Sequence, residues 1–466
     1  MMAVLDLYYR LPIFLQELAL SAYGAKLRAT RYGGSHERLV HALVHGATLG
    51  AGELHRRQQE TLRATLHHAR RAVPYYRSLR LPDATMTEDA VTALLAWPLL
   101  TKADVQQAGE SMLSQEYRGK RLTQIHTGGT TGRALSIWAT AEALQSNYGF
   151  FERFKRWSGV ESGDRVATFA GRPIVPPDVS TGPLWRRNFA ANQLLLSSYH
   201  IGAATLDRYI DALERFAPKL IDAYPSSIEP LARRIVQRGG TSLKPAAVIT
   251  SSETLMPEVR AVIASAFGCR VLDHYGSAEM VAFITQCSLG GYHANTDYGF
   301  LEILNERGEA AAPDEEGEIV ATGFINPAMP LVRYRMGDLA KWAPEPCPCG
   351  LPFPTLSAIV GRMDDVILTP DGRRIGRIDP IFKAVSTLHE ARVVQQAIDK
   401  VRLEVVALDG FRDADRDALV RALKVRLGTS MTIEFVRVDS IPRTAGGKLR
   451  TVVSAFGKSI RPEHPG

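Results

Sequence analysis

The alternation that begins beyond Arg121 constrains the fold more than any other feature of this chain. Short apolar runs at 165–169, 220–223, 247–249 and 269–272 take turns with stretches of helical spacing, the pattern of buried strands between helices. An α/β fold is the expectation. A polar stretch at 305–317, carrying Gly308 and Pro313, reads as the turn between two further strands at 300–304 and 318–322. From about Asp364 a last unit shows signals of its own, with strands at 401–408 and 432–438 around a helix at 414–427. A chain of 466 residues has room for about two or three domains.

The N-terminal region reads as helical. Leu62, Leu66, Ala69 and Val73 fall on one face, and Pro74 marks an end. The opening segment is amphipathic and interrupted at Pro12; its expected use is packing on the body, with membrane contact as the alternative. A composition of 45% hydrophobic and 23% charged residues, with mean hydropathy −0.09, excludes a disordered, fibrous or integral membrane protein. No apolar run approaches the roughly 18 residues of a membrane span. Residues 1–26 lack a basic leader, so a cytoplasmic location is expected. The formal net charge is +7, and the tail concentrates Arg443, Lys448, Arg450, Lys458 and Arg461 against Glu463. Such asymmetry suits nucleic acid, an anionic membrane surface or a polyphosphate. With no recognisable reading module, nucleic acid is not an expected partner.

The most conspicuous segment is Thr127-Gly128-Gly129-Thr130-Thr131-Gly132, set between two apolar runs. Its glycines permit positive φ, and its hydroxyls and amides suit phosphate oxygens. It is an anion cradle or a surface turn. It is not a Walker A loop, because Arg133 and Ala134 follow Gly132. Downstream stand Asp273-His274-Tyr275-Gly276-Ser277-Ala278-Glu279, Tyr334-Arg335-Met336-Gly337-Asp338, Gly361-Arg362-Met363-Asp364-Asp365 and Pro442-Arg443-Thr444-Ala445-Gly446-Gly447-Lys448.

In order and spacing this set resembles the adenylate-forming superfamily of acyl-CoA synthetases. The double-threonine loop, Tyr224-Pro225-Ser226-Ser227, Ser251-Ser252-Glu253 and Cys347-Pro348-Cys349-Gly350 are most similar to its branch of phenylacetate-CoA ligases and capsular-polysaccharide proteins. The resemblance implies a large N-terminal adenylation body at 1–360, helical over about 1–120. It further implies a hinge at 361–365, at Asp364, and a small mobile α+β lid at 366–466. It implies that 127–132 hold the β- and γ-phosphates of ATP, that Ser277 meets the α-phosphate, that Gly276 belongs to the same nucleotide site, and that Glu279 carries Mg²⁺. Asp338 would bind the ribose hydroxyls with Arg362 nearby, while Ser252, Glu253, Asp273 and Tyr275 would line the adenine pocket. Lys448 would offset charge as carboxylate and α-phosphate approach.

The implied activity is adenylation of a carboxylic acid, aryl or arylacetic, and transfer to coenzyme A. Two alternatives stand beside it: transfer to an amine, hydroxyl or carrier-protein thiol, and a non-catalytic nucleotide-binding protein of polysaccharide assembly. A homodimer is compatible with the resemblance. Residues 371–376 match the post-hinge segment of relatives only loosely, which touches thioester formation more than adenylation. The acid pocket is expected to draw on 185–200 and Tyr224, with Phe189, Tyr199 and Tyr224 suiting an aromatic acid.

Cys287, His293, Cys347 and Cys349 supply four soft or borderline ligands, enough for a tetrahedral structural zinc in an insertion at about 285–352. The other reading is reduced buried thiols and a core histidine. Cys269 opens an apolar run and reads as core.

Overall fold

In a computed structural model the chain is described at residues 7–34, 36–79, 81, 89–126, 135–170, 174–176, 179, 181–202, 204–362, 367–370, 374–375, 378, 381–382, 385, 387–428, 430–442 and 450–454. Three helices open it: α1 (Ile13–Tyr32), α2 (His36–Gly46) and α3 (Ala51–Ala72). Leu54, Leu62, Leu66 and Ala69 bury one face of α3, and Pro74 starts the next helical turn at a position where its missing N–H costs nothing. The long helices of the central region are α4 (Ala141–Trp157), α5 (Leu206–Phe216), α6 (Pro225–Gln237) and α7 (Pro257–Phe267). Prolines begin α6 and α7, and Gly268, at φ +61°, ends α7 in the left-handed conformation that glycine adopts without strain.

Strands β1 (Thr123–His126) and β2 (Ser136–Ala139) form an antiparallel pair. Twelve more make one sheet. They are β3 (Val166–Ala170), β4 (Trp185–Asn188), β5 (Gln193–Ser197), β6 (Leu220–Ala223), β7 (Ala247–Ser251), β8 (Arg270–Gly276), β9 (Phe283–Gln286), β10 (Tyr292–Ala294), β11 (Gly299–Leu304), β12 (Gly317–Gly323), β13 (Tyr334–Trp342) and β14 (Thr355–Arg362). Their order across the sheet is β11-β12-β13-β14-β10-β9-β8-β7-β6-β3-β5-β4. The run from β8 to β5 is parallel, and the rest is antiparallel.

Both faces of the parallel part are covered, as such sheets require. On one face α5, α6 and α7 bury Ile210, Leu213, Ile228, Leu231 and Ile263 against Ala167, Ile221 and Val248. On the other, Phe150 and Phe154 of α4 meet Leu220, Ala247 and Ile249. The antiparallel part curls around its own core of Ile284, Ala294, Ile303, Ile319, Ala340 and Leu356, one residue from each of β9 to β14. The N-terminal helix α3 packs Leu62, Leu66 and Ala69 in a further cluster that includes Ala321 and Tyr334.

A separate four-stranded sheet follows, ordered β19-β18-β17-β20, after the short pair β15 (Ile367–Leu368) and β16 (Arg374–Ile375). Its members are β17 (Leu388–Ala397), β18 (Lys400–Ala407), β19 (Thr432–Arg437) and β20 (Val452–Ser454). Leu419, Leu423 and Leu427 of α8 (Asp413–Leu427) pack on Val393, Val401 and Leu403. The fold is thus mixed α/β, as expected, and the expected strands and helix of the last unit are present. Among the described residues no helix is long and apolar enough to cross a membrane.

Candidate active site

The carboxyl ends of β6, β7 and β8 lie side by side, and three of the sequence motifs sit on them. At the end of β6, Tyr224 precedes α6. At the end of β7, Ser252 has φ +66°, an unusual conformation for a residue with a side chain, and one that turns the chain sharply. Glu253 then reaches across to α6, its carboxylate accepting from the Ser226 backbone N–H at 3.0 Å and the Ser226 hydroxyl at 2.8 Å. This is an acid at a helix N-terminus, where backbone N–H groups and the helix dipole favour negative charge.

Along β8, alternate side chains point to opposite faces. Asp273 is buried, and its carboxylate accepts from Thr250 Oγ1 and from Tyr292 Oη, each at 2.7 Å. Burial pushes its pKa up to about 6, against the opposing hydrogen bonds of Thr250 and Tyr292. Two residues on, Tyr275 Oη donates to Asp338 Oδ2 at 2.7 Å. Asp338 lies on β13 directly opposite Arg362 of β14. The Arg362 side chain lies outside the described residues.

Beyond β8 the Ser277 hydroxyl is buried without a hydrogen-bond partner among the described residues. An orphaned hydroxyl at a strand's carboxyl end is what a ligand oxygen would satisfy. Glu279 is half-buried, and Tyr334 Oη donates to its Oε1 at 3.4 Å. Gly276 is held tight: a Cβ there would meet His274 Nε2 at 3.0 Å. His274, part of the 273–279 motif but given no role by the resemblance, packs on the rings of Phe151, Phe154 and Phe283, and burial lowers its pKa to about 4. The imidazole is neutral at pH 7, a fixed wall beneath Gly276. No periodicity or spacing marks it.

Several expected residues need separate placement. The loop Thr127, Gly128, Gly129, Thr130, Thr131 and Gly132 lies outside the described residues, as does Lys448. The flanks of the loop are β1 and β2, paired from Thr123 opposite Ala139 to His126 opposite Ser136. Phe189 requires a correction as an acid-pocket residue. It lies in the β4–β5 connection, at the amino end of β5 and thus the opposite end from Tyr224, and is 58% exposed. The Tyr199 side chain lies outside the described residues.

A second cluster adjoins Asp273, which bonds to Gln286 and Tyr292, the residues before Cys287 and His293. Cys287 follows β9, His293 lies on β10, and Cys347 and Cys349 come from the β13–β14 connection. Their ligand atoms all lie within 4.8 Å of one another. The four cysteines of the chain are free thiols, with Cys287 Sγ and Cys347 Sγ 3.6 Å apart and Cys349 Sγ 3.3 Å from His293 Nε2. Tetrahedral zinc at its usual bond lengths sets S···S at about 3.8 Å and S···N at about 3.6 Å. The donor set fits that ion. His293 Nδ1 is 3.2 Å from the Phe353 carbonyl, which can only accept, so Nδ1 carries the proton and Nε2 turns its lone pair toward the thiols. Gly291 is needed for this approach, since a Cβ there would collide with Cys347 Sγ at 2.8 Å.

Comparison with known proteins agrees with the resemblance. Residues 367–455 match the family described as the CapK C-terminal domain. Over 458 residues the chain is 26% identical to Protein CapK of Staphylococcus aureus, covering 96% of this chain and 98% of that protein. It is 24% identical over 441 residues to a phenylacetate-coenzyme A ligase of Thermus thermophilus, covering 87% and 97%. The structure of a 2-hydroxyisobutyryl-CoA ligase, in the postadenylation state with 2-HIB-AMP, superposes with a TM-score of 0.65 at 19% identity, covering 88% of this chain and 91% of that one. The fold is that of the adenylate-forming ligases, and the relatives are of the CapK and phenylacetate-CoA ligase branch.

Proposed function

We propose that the chain is an AMP-forming ligase that adenylates a carboxylic acid with ATP and passes the acyl group to coenzyme A. The observation that carries this reading is the convergence of Ser252, Glu253, Tyr275 and the orphaned Ser277 hydroxyl at neighbouring strand ends, with Asp338 bonded to Tyr275, in this fold. The relatives named as phenylacetate-CoA ligases support the same reaction class.

A carboxylate is a poor electrophile, and attack on the α-phosphorus of ATP turns it into an acyl adenylate with a good leaving group. In this reading Asp338 accepts from the ribose hydroxyls while Tyr275 fixes its orientation, and Ser252 and Glu253 border the base. Asp273, its carboxylate held in place by Thr250 and Tyr292, lines the same pocket. The Ser277 hydroxyl donates to an α-phosphate oxygen, and Thr127 to Gly132 hold the outer phosphates. Glu279 is the oxygen ligand for Mg²⁺, which neutralises phosphate charge when bound. Lys448, on a lid of 366–466 that turns at 361–365, stabilises charge only during adenylation. The four-ligand cluster holds zinc as a closed structural site that staples the β9–β10 and β13–β14 connections. Tyr224 borders the acid, which we take to be aryl or arylacetic.

A second reading follows the relative named CapK, whose C-terminal domain family matches residues 367–455 within the proposed lid. In that reading the acyl group passes to an amine, a hydroxyl or a carrier-protein thiol. Pyrophosphate release across a panel of carboxylic acids, with and without coenzyme A, tests both. Acid-dependent release with thioester formation supports the first reading, and release with acyl adenylate left unconsumed supports the second. No release with any acid overturns both.

A further inference from the structure

Helix α1 is unusual in what it shows to solvent. One face is held on the body: Leu20 packs into the core beside the parallel strands, and Gln16 Oε1 accepts from Arg186 Nε at 2.6 Å. Gly24 lies so close to Asn188 that a Cβ there would collide with its amide. The attachment is polar and exact in register along its length, with Glu17 accepting from the Arg187 N–H, Ser21 from the Phe189 N–H, and Arg28 donating to the Ala190 carbonyl. The opposite face carries Phe14, Leu15, Leu18, Ala22, Ala25 and Ala29, a stripe at spacings of three and four with no charge in it.

Phe14 is 62% exposed and Leu18 55%. Phe189, beside Ser21, extends the same apolar surface. Large apolar side chains grouped in this way on a fixed helix mark an interaction surface. Among the described residues, the exposed charges of α1 and its flanks beside the stripe are cationic: Arg10, Lys26 and Arg187 are exposed, and the only acid of α1, Glu17, accepts from the Arg187 N–H. A second copy of the chain docked through this face would bring these cations against their own counterparts. A surface that is apolar beneath and negative at its rim offers both complements.

We propose that this face is a docking surface for an anionic lipid bilayer. The helix lies in the plane of the interface, with Phe14, Leu18 and Phe189 in the headgroup–acyl boundary and Arg10, Lys26 and Arg187 against lipid phosphates. Because α1 is already ordered on the body, binding needs no folding of the helix. The surface is distinct from the carboxyl-end site: Phe189 stands at the amino end of β5, so the site faces away from the bilayer.

The test is co-sedimentation of the full chain with vesicles of equal phosphatidylcholine and phosphatidylglycerol, beside vesicles of phosphatidylcholine alone. Binding is expected to the mixed vesicles, and to fall about tenfold or more without phosphatidylglycerol or in high salt. Phe14→Glu with Leu18→Glu is expected to reduce it by about tenfold or more, and so is Arg10→Glu with Lys26→Glu. Thermal unfolding and pyrophosphate release in solution are expected to stay at wild-type values in both variants, and the charge pair leaves the apolar stripe intact should the first variant fold poorly. Absence of wild-type binding to mixed vesicles overturns the proposal, as does equal binding by both variants. A wild-type dimer in solution that Phe14→Glu with Leu18→Glu dissociates assigns the face to a second copy and likewise overturns it.

Discussion

The bond between Tyr275 and Asp338 offers the sharpest test of the nucleotide site. Tyr275→Phe removes one hydroxyl and keeps the ring, so the packing of Tyr275 between its two neighbouring apolar clusters is retained. The lost bond, 2.7 Å to a carboxylate, belongs to a class worth about 1.5–3 kcal/mol. Both partners are half-buried, which places the loss at the lower end, about 1.5 kcal/mol or about tenfold in an equilibrium constant. If Asp338 binds ribose, that loss falls on ATP. Pyrophosphate release measured against ATP concentration is expected to show a KM raised about tenfold, by the same factor with each acid, and kcat changed less. Asp338→Ala is expected to cost more than this. In the Asp338→Ala background the tyrosine exchange is expected to cost almost nothing further, since its partner is gone. Full additivity of the two losses, or a changed ranking of acids with ATP dependence intact, refutes the assignment.

Lys448→Ala is expected to lose acid-dependent pyrophosphate release by about three orders of magnitude or more while still converting a supplied acyl adenylate; equal losses in Arg450→Ala and Lys458→Ala would instead indicate simple attraction of ATP. Elemental analysis is expected to find about one zinc per chain, and Cys349→Ser to lower the unfolding free energy by more than about 2 kcal/mol with kcat little changed. Asp273 makes stability depend on pH: its folded pKa, about 6, lies above the ordinary 3.8, so the folded chain holds the proton more tightly than the unfolded chain. That contribution is complete below about pH 4, is lost as pH rises through about 6, and amounts to about 3 kcal/mol; denaturant midpoints across that window are expected to flatten in Asp273→Asn. Tyr224→Ala is expected to reorder the acids without changing the ATP KM, read from the same pyrophosphate assay.

What could be read in the sequence, and what could not, divides along physical lines. Strands β6 and β7 were legible because a parallel strand covered on both faces is apolar at nearly every position. Strands β4 and β17 were not, because their polar residues are satisfied by partners on other elements. Arg186 of β4 donates to Gln16 of α1, and Arg392 of β17 donates to Glu404 of β18 at 2.8 Å. Each strand taken alone contains one member of its pair and reads it as solvated.

The site shows the same limit at longer range. The motifs named Tyr275 and Asp338, yet nothing in their spacing says that they touch. In sheet order β8 and β13 are separated by β9, β10 and β14, which in a flat sheet sets them about 19 Å apart at normal strand spacing. Only curling of the antiparallel half brings a tyrosine hydroxyl within 2.7 Å of that carboxylate. The small and branched residues Ile284, Ala294, Ile303, Ile319, Ala340 and Leu356 fill the concave side of that curl. They touch no proposed ligand, but their volume sets how far the sheet closes and thus where Asp338 stands. Phe189 illustrates the converse: its aromatic character suggested a pocket, but strand direction alone decides which end of a sheet a residue occupies, and β5 runs away from it. Residue type names the chemistry available to this chain, while the direction and curvature of one twelve-stranded sheet decide which of those residues meet.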